Sequence, residues 1–187
     1  MCTAHPRERG LTLLDLIMAI AVIALLMGIA IPNLDFFFRK QQADAQSHLL
    51  LRHLHKTREL AVHSGREMVM CGIDNNNVCR RDNFRKLAIF HDANNNRQID
   101  ENENIESLLE LNFSGTVRLN ASSTSRYIRY YAHGAAQPYG SFILCPRDNS
   151  PYLIRRITTQ RAGRAYLARP EADGIVAHDD KRPINCG

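Results

Sequence analysis

The chain opens on a short polar segment, MCTAHPRERG, and then changes abruptly to LTLLDLIMAIAVIALLMGIAIP. From Leu16 to Ile31 no side chain is charged or strongly polar. As a helix, residues 11–31 would span about 32 Å at about 1.5 Å per residue, which matches the hydrocarbon layer of a bilayer. Pro32 follows; it lacks an N–H, and a bend is expected there. Beyond it the pattern becomes amphipathic. Ala43, Ser47, Leu50, Leu54, Thr57 and Ala61 recur at three- and four-residue steps, one face of a helix. Gly65 is the expected stop. After Gly65 the apolar runs shorten to strand length: 67–73, 86–91, 105–111, 116–120, 126–132, 141–145, 152–159 and 164–169, separated by turn residues such as Asp74-Asn-Asn-Asn and Asn112-Phe-Ser-Gly. Many short strands after one long helix predict an α+β fold, with antiparallel β-sheets packed on the helix. The organisation read from this pattern is a short polar segment at 1–10, a hydrophobic helix at 11–32, its amphipathic continuation at 33–65, and a β-rich head at 66–187.

Charge gives this pattern a direction. Arg7 and Arg9 precede the apolar run, and basic flanks stay cytoplasmic, so the remainder is exported. Export suits the cysteines. There are five, at 2, 71, 79, 145 and 186; if residues 1–10 are removed, Cys2 goes with them and an even four remain. Four cysteines permit three pairings. The favoured one joins Cys71 to Cys79 across the Asn-rich turn and Cys145 to Cys186, tying the tail to a core strand. The net charge is +5 and the pI about 9.1, which favours anionic partners without specifying a fold. No nucleophile–base constellation and no Gly-rich phosphate loop is visible, so the chain does not read as an enzyme. His48, His53, His55 and His63 lack ligand spacing and read as solvated helix residues.

One residue does not suit a plain anchor. Asp15 puts a carboxylate near the start of the apolar helix, where it is expensive in lipid. It lies five residues after Gly10, in Gly-Leu-Thr-Leu-Leu-Asp. This segment closely resembles the class III signal of type IV pilins and type II secretion pseudopilins. The resemblance implies cleavage by a prepilin peptidase between Gly10 and Leu11, N-methylation of Leu11, and a kinking proline at Pro32. Two positions depart from the usual pattern: Leu11 stands where Phe is common, and Asp15 where Glu is. Both keep the chemical type. In a filament, Asp15 would pair with the α-amine of Leu11 on a neighbouring subunit and set the axial register. Two charges leave water tolerably only when they meet.

The head sharpens the match. Gly140-Ser-Phe-Ile-Leu-Cys145-Pro, then a strand, then Gly163-Arg164, resembles the GspH/FimT group of minor pilins and pseudopilins. Phe90-His-Asp92-Ala-Asn94-Asn-Asn96, with Asp100 and Glu103, resembles it also. The resemblance implies a pilin-like fold and a rare subunit that helps assembly, and some members of the group bind DNA. Here Arg147, Arg155, Arg156, Arg161, Arg164 and Arg169 stand against a single acid, Asp148, and Arg118, Arg126 and Arg129 are candidates for the same face. Guanidinium forks match phosphate oxygens and give salt-sensitive, sequence-independent binding, and Tyr152 and Tyr166 are candidates for base stacking. The Gly-Arg-x-Arg motif of DNA-binding relatives is incomplete, since Gly163-Arg164-Ala165-Tyr166 lacks the second arginine.

A calcium site is the other candidate chemistry. Asp92, Asn94, Asn96, Gln98, Asp100 and Glu103 occupy positions 1, 3, 5, 7, 9 and 12 of an EF-hand-type loop, but Arg97 replaces the glycine such a loop needs at position 6. The bland reading is an acidic hairpin. Taken together, the expected protein is a minor pilin of a type IV pilus, anchored once in the bacterial inner membrane with its head in the periplasm. Its expected partners are other pilins, prepilin peptidase and, through the arginines, DNA. The rivals are a minor pseudopilin of a type II secretion system and a membrane-anchored calcium- or ligand-binding module that never assembles.

Overall fold

The computed structural model describes residues 13–122, 125–178 and 182–186; within them, the side chains of residues 29–33 are not described. Gly10 and Leu11, the expected cleavage and methylation positions, lie outside the described residues. The chain divides into two compact units, residues 1–39 and 40–187.

Helix α1 covers Leu13–Ser64 and continues through Pro32. A single missing N–H removes one backbone hydrogen bond and need not end a long helix. In the first unit the apolar side chains of α1 face outward: Leu13, Ile17, Val22 and Leu25 are each more than half exposed. Asp15 sits in the first turn. Among the described residues no helix is long and apolar enough to cross a membrane; the expected apolar run of 11–31 lies partly outside them.

In the second unit α1 buries the face its spacing predicts. Ala43, Ser47, Leu50, Leu54, Thr57 and Ala61 have no solvent exposure. The two hydroxyls are satisfied by bonding back along the helix, Ser47 Oγ to the Asp44 carbonyl and Thr57 Oγ1 to that of His53. Two antiparallel sheets complete the unit. The first contains β1 (Met68–Ile73), β2 (Cys79–Arg80), β3 (Lys86–Phe90), β4 (Ile105–Glu110) and β6 (Ile128–Tyr130). Its order is β2-β1-β3-β4, with β6 pairing β1 beside β2. The second runs β5 (Gly115–Ala121), β7 (Gly140–Pro146), β8 (Arg155–Thr159) and β9 (Ala165–Leu167), in the order β5-β7-β8-β9. Segment 81–83 stitches the sheets together: the Leu119 amide bonds to the Arg81 carbonyl and the Asn83 amide to that of Val117.

The main core combines α1 with the inner faces of both sheets, through Leu50, Leu54, Met70, Ile89, Leu119, Phe142 and Ile157. A second cluster covers the far face of the first sheet, where Ile99 and Tyr127 lie over Val69, Ala88 and Phe90. A third lies on the far face of the second sheet, where tail residues Val176 and Ile184 cover Ile143 and Ile154. Cys145 is bonded to Cys186 in that cluster and Cys71 to Cys79 at the β1–β2 hairpin, the pairing favoured from the sequence. In the chain-entropy picture, closing the 41-residue and 8-residue separations contributes about 4 and about 2.5 kcal/mol.

Candidate functional site

The arginines expected to form one phosphate-binding face separate into two groups. Successive residues of a strand point to opposite faces. Arg155 therefore points inward, toward α1, and Arg156 outward, under the tail. Arg155 is 5 % exposed and forms an ion pair with Asp44 of α1, while its Nη1 donates to the carbonyls of Tyr152 and Ile154 at 2.9 Å. Arg156 is 6 % exposed and lies across from Ile143 in β7. Both were expected at the surface, and both are corrected here: a helix covers one side of β8 and the tail covers the other, so neither guanidinium is presented to a duplex. Arg147, Arg161, Arg164 and Arg169 remain exposed. Arg164 and Arg169 line a groove of about 420 Å³ with Gln160, Tyr166 and Leu167 at the free edge of the second sheet. The turn before it depends on Gly163, whose φ of +80° and 1.7 Å approach of a built Cβ to the Gly134 carbonyl oxygen leave no room for a side chain. Tyr152 is half exposed but lies before β8, apart from this groove's lining.

The arginines outside that list are more concentrated. Three grooves follow one another where the two sheets meet. The first, about 520 Å³, is lined by Val78, Asn96, Arg97, Arg126 and Tyr127 among others. The second, about 250 Å³, is lined by Arg80, Arg81, Asp82 and Arg126. The third, about 430 Å³, is lined by Arg81, Arg118, His178, Arg182 and neighbours. Arg126 belongs to the first two and Arg81 to the last two. Arg81 and Arg118 are positioned from the backbone: Arg81 Nε donates to the Leu119 carbonyl at 3.3 Å and Arg118 Nη2 to that of Asn185 at 2.6 Å. Arg129 is engaged elsewhere, with Glu67 and Asn95, and both Arg97 and Arg129 lie over the Tyr127 ring. Sequence reasoning missed Arg80, Arg81, Arg97 and Arg182. The Cys-Arg-Arg run at 79–81 was the available signal, because a disulfide there fixes the adjacent pair.

The acidic loop closes on itself. The Asp92 carboxylate accepts the amides of Asn96 and Arg97, and that of Glu103 accepts those of Ala93 and Asp100. The Asn94 and Asn96 side-chain amides both donate to Asp100. Their own oxygens accept the amides of Asn96 and Gln98. Arg97, where an EF-hand has glycine, takes a φ of +63°. Oxygens of Asp92, Asn94, Asn96, Asp100 and Glu103 thus accept hydrogen bonds from the loop's own donors, and among the described residues no three of His, Cys, Asp and Glu are grouped to hold a metal.

His53 departs from the expectation for helix histidines. It is 7 % exposed, and among the described residues its Nε2 has no hydrogen-bond partner. Burial first, and then the charge of Lys56, push its pKa down to about 4, with the Leu87 carbonyl opposing.

Comparison with known proteins sets this geometry in context. The family profile described as type II transport protein GspH matches residues 46–163, more than half of the chain. No curated protein matches. Among solved structures, the type IV minor pilin FimU of Pseudomonas aeruginosa is 17 % identical, over 70 % of this chain and 91 % of that one, with a TM-score of 0.48. The minor pseudopilin EpsH of the Vibrio cholerae type 2 secretion system is 18 % identical, over 67 % and 95 %, with a TM-score of 0.46.

Proposed function

The chain belongs to the GspH family of type II transport proteins, and on that premise we propose that it is a minor structural subunit of a pilus- or pseudopilus-type filament. Its fold is the α+β, pilin-like one, a long helix packed on antiparallel sheets. The observation that carries the proposal is the outward-facing apolar surface of α1 from Leu13 to Met27. Such a surface needs a cover, and the same helix side chains suit lipid before assembly and neighbouring helices after it. Within this reading, cleavage after Gly10 frees the α-amine of Leu11, and Asp15 of a neighbouring subunit neutralises it. The head is then a structural element and not an enzyme.

A type IV pilus is the first assignment and a type II secretion pseudopilus the alternative. They differ in what is lost on deletion of the chain: surface fibres in one case, exported proteins in the other. Assembly itself is tested with Asp15→Ala. The variant is expected in the membrane fraction at normal abundance and absent from sheared filaments. Its recovery in filaments at the wild-type level would contradict the assigned role of the carboxylate.

DNA binding is a second activity in this proposal, supported by the basic charge of the chain and the arginines that remain exposed on its head. Calcium enters only as a competitor for the hydrogen-bonded oxygens of the 92–103 loop.

A further inference from the structure

The three consecutive grooves at the junction of the sheets share lining arginines with one another, which the β9 groove does not. Together they are lined by Arg80, Arg81, Arg97, Arg118, Arg126 and Arg182. The acid in their lining is Asp82, and Arg80 is also paired with Asp74 at 3.8 Å. Because Arg126 and Arg81 are each shared between adjacent grooves, the guanidiniums form a row and not a pocket. A compact anion would need converging donors. A row spaced along an open channel instead suits a linear polyanion that places one phosphate after another. Two of its guanidiniums and the segments that carry the row are also held in place. Backbone carbonyls orient Arg81 and Arg118, the Cys71–Cys79 bridge anchors the segment carrying Arg80 and Arg81, and the Cys145–Cys186 bridge holds the tail that forms the far wall. Donors fixed in advance lose little side-chain freedom on binding.

We propose that this arginine row is the phosphate-backbone track of the protein, and that the ligand it takes is a nucleic-acid strand. The inference rests on the DNA-binding reading but places contact away from the C-terminal arginines 161–169. Tyr127, at one end of the track with Arg97 and Arg129 over its ring, is 7 % exposed, so its ring is not offered for stacking. Recognition is therefore of the backbone, independent of sequence and steeply dependent on salt.

The test uses the full chain in neutral detergent micelles, titrated into fluorescein-labelled single-stranded and duplex DNA over a series of KCl concentrations. Arg80 and Arg126 are exposed, so Arg80→Glu/Arg126→Glu is expected to fold. It should weaken binding about tenfold or more at low salt and make the log–log salt slope shallower by about 1.4–1.8, the loss of two phosphate contacts. Arg164→Glu/Arg169→Glu, the same change of charge at the β9 groove, should retain most of the affinity. Arg81→Lys, which keeps the charge, should bind far better than Arg81→Gln, and near-ultraviolet circular dichroism of both checks the fold. Loss of binding in the β9 variant alone would overturn the track and leave the DNA reading standing. Equal losses in both variants would also overturn it, since only overall charge would then matter. No binding by the wild-type chain at low salt would overturn the DNA reading and the track together. Inorganic polyphosphate should compete with DNA for the track; failure to compete would contradict recognition through phosphate.

Discussion

At the scale of single residues, two buried groups link the sequence to stability. The Arg155–Asp44 pair joins β8 to α1 across 111 positions of sequence. Asp44→Ala would leave a guanidinium that is 5 % exposed without its carboxylate. The expected loss is about 2–4 kcal/mol, at the lower end because the Asp44 side chain is itself 36 % exposed. Urea denaturation checks it, and a change under 0.5 kcal/mol, the scale of a surface substitution, would contradict it. His53 makes stability depend on pH. Its pKa is near 4 in the fold against 6.5 for the free side chain, so the unfolded chain takes up the proton first. The contribution is complete above about pH 6.5 and is lost as pH falls toward 4, on the order of 1–3 kcal/mol. The urea midpoint should fall between pH 7 and pH 4.5 in the wild type, and should fall less in His53→Leu. His53 was legible in the spacing: it stands three residues after Leu50 and four before Thr57, on the face that is buried. Arg155 and Arg156 were not. Their burial comes from a helix and a tail far away in sequence, which no local pattern reports.

At the scale of elements, periodicity carried most of the information. The six-residue stripe on α1 is wholly buried, and the longer strands fall where alternation and turn residues put them. β2 was missed because two residues are too few to show a period. The 152–159 run divides into a 3-10 turn at Pro151–Leu153 and β8, since Pro151 favours the start of a tight turn. The acidic loop is organised by hydrogen bonds that spacing alone does not report. Its residues match a calcium loop by position, and the Asp92 carboxylate accepts two of the loop's own amides. Asp92→Ala should therefore destabilise the protein without calcium, by about 1–3 kcal/mol for two amides deprived of their acceptor. Thermal unfolding of both proteins in EDTA reads this directly. An unchanged midpoint in EDTA, combined with a calcium-dependent rise in the wild type alone, would favour a cation as the loop's organiser.

At the scale of the whole molecule, the chain separates a helical segment with exposed apolar side chains from a unit built around its own core. Among the described residues, those that are buried lie from Ala43 onward, within the second unit, together with both disulfides. That unit provides the surface, and the sequence located its chemistry only in part. Clusters of arginine are visible in a sequence, but the side of a sheet they occupy depends on what packs over it. The row through Arg80, Arg81, Arg118 and Arg126 is assembled from three separate stretches of chain, so only the folded molecule brings it together. The proposed role of the first segment in assembly rests on chemistry at the N-terminus, and the decisive measurement is there. Intact-mass and peptide-level mass spectrometry of the protein recovered from cells should find a chain beginning at Leu11 and carrying one N-methyl group. A chain that retains Met1–Gly10, or one trimmed beyond Gly28, would contradict the filament-subunit account.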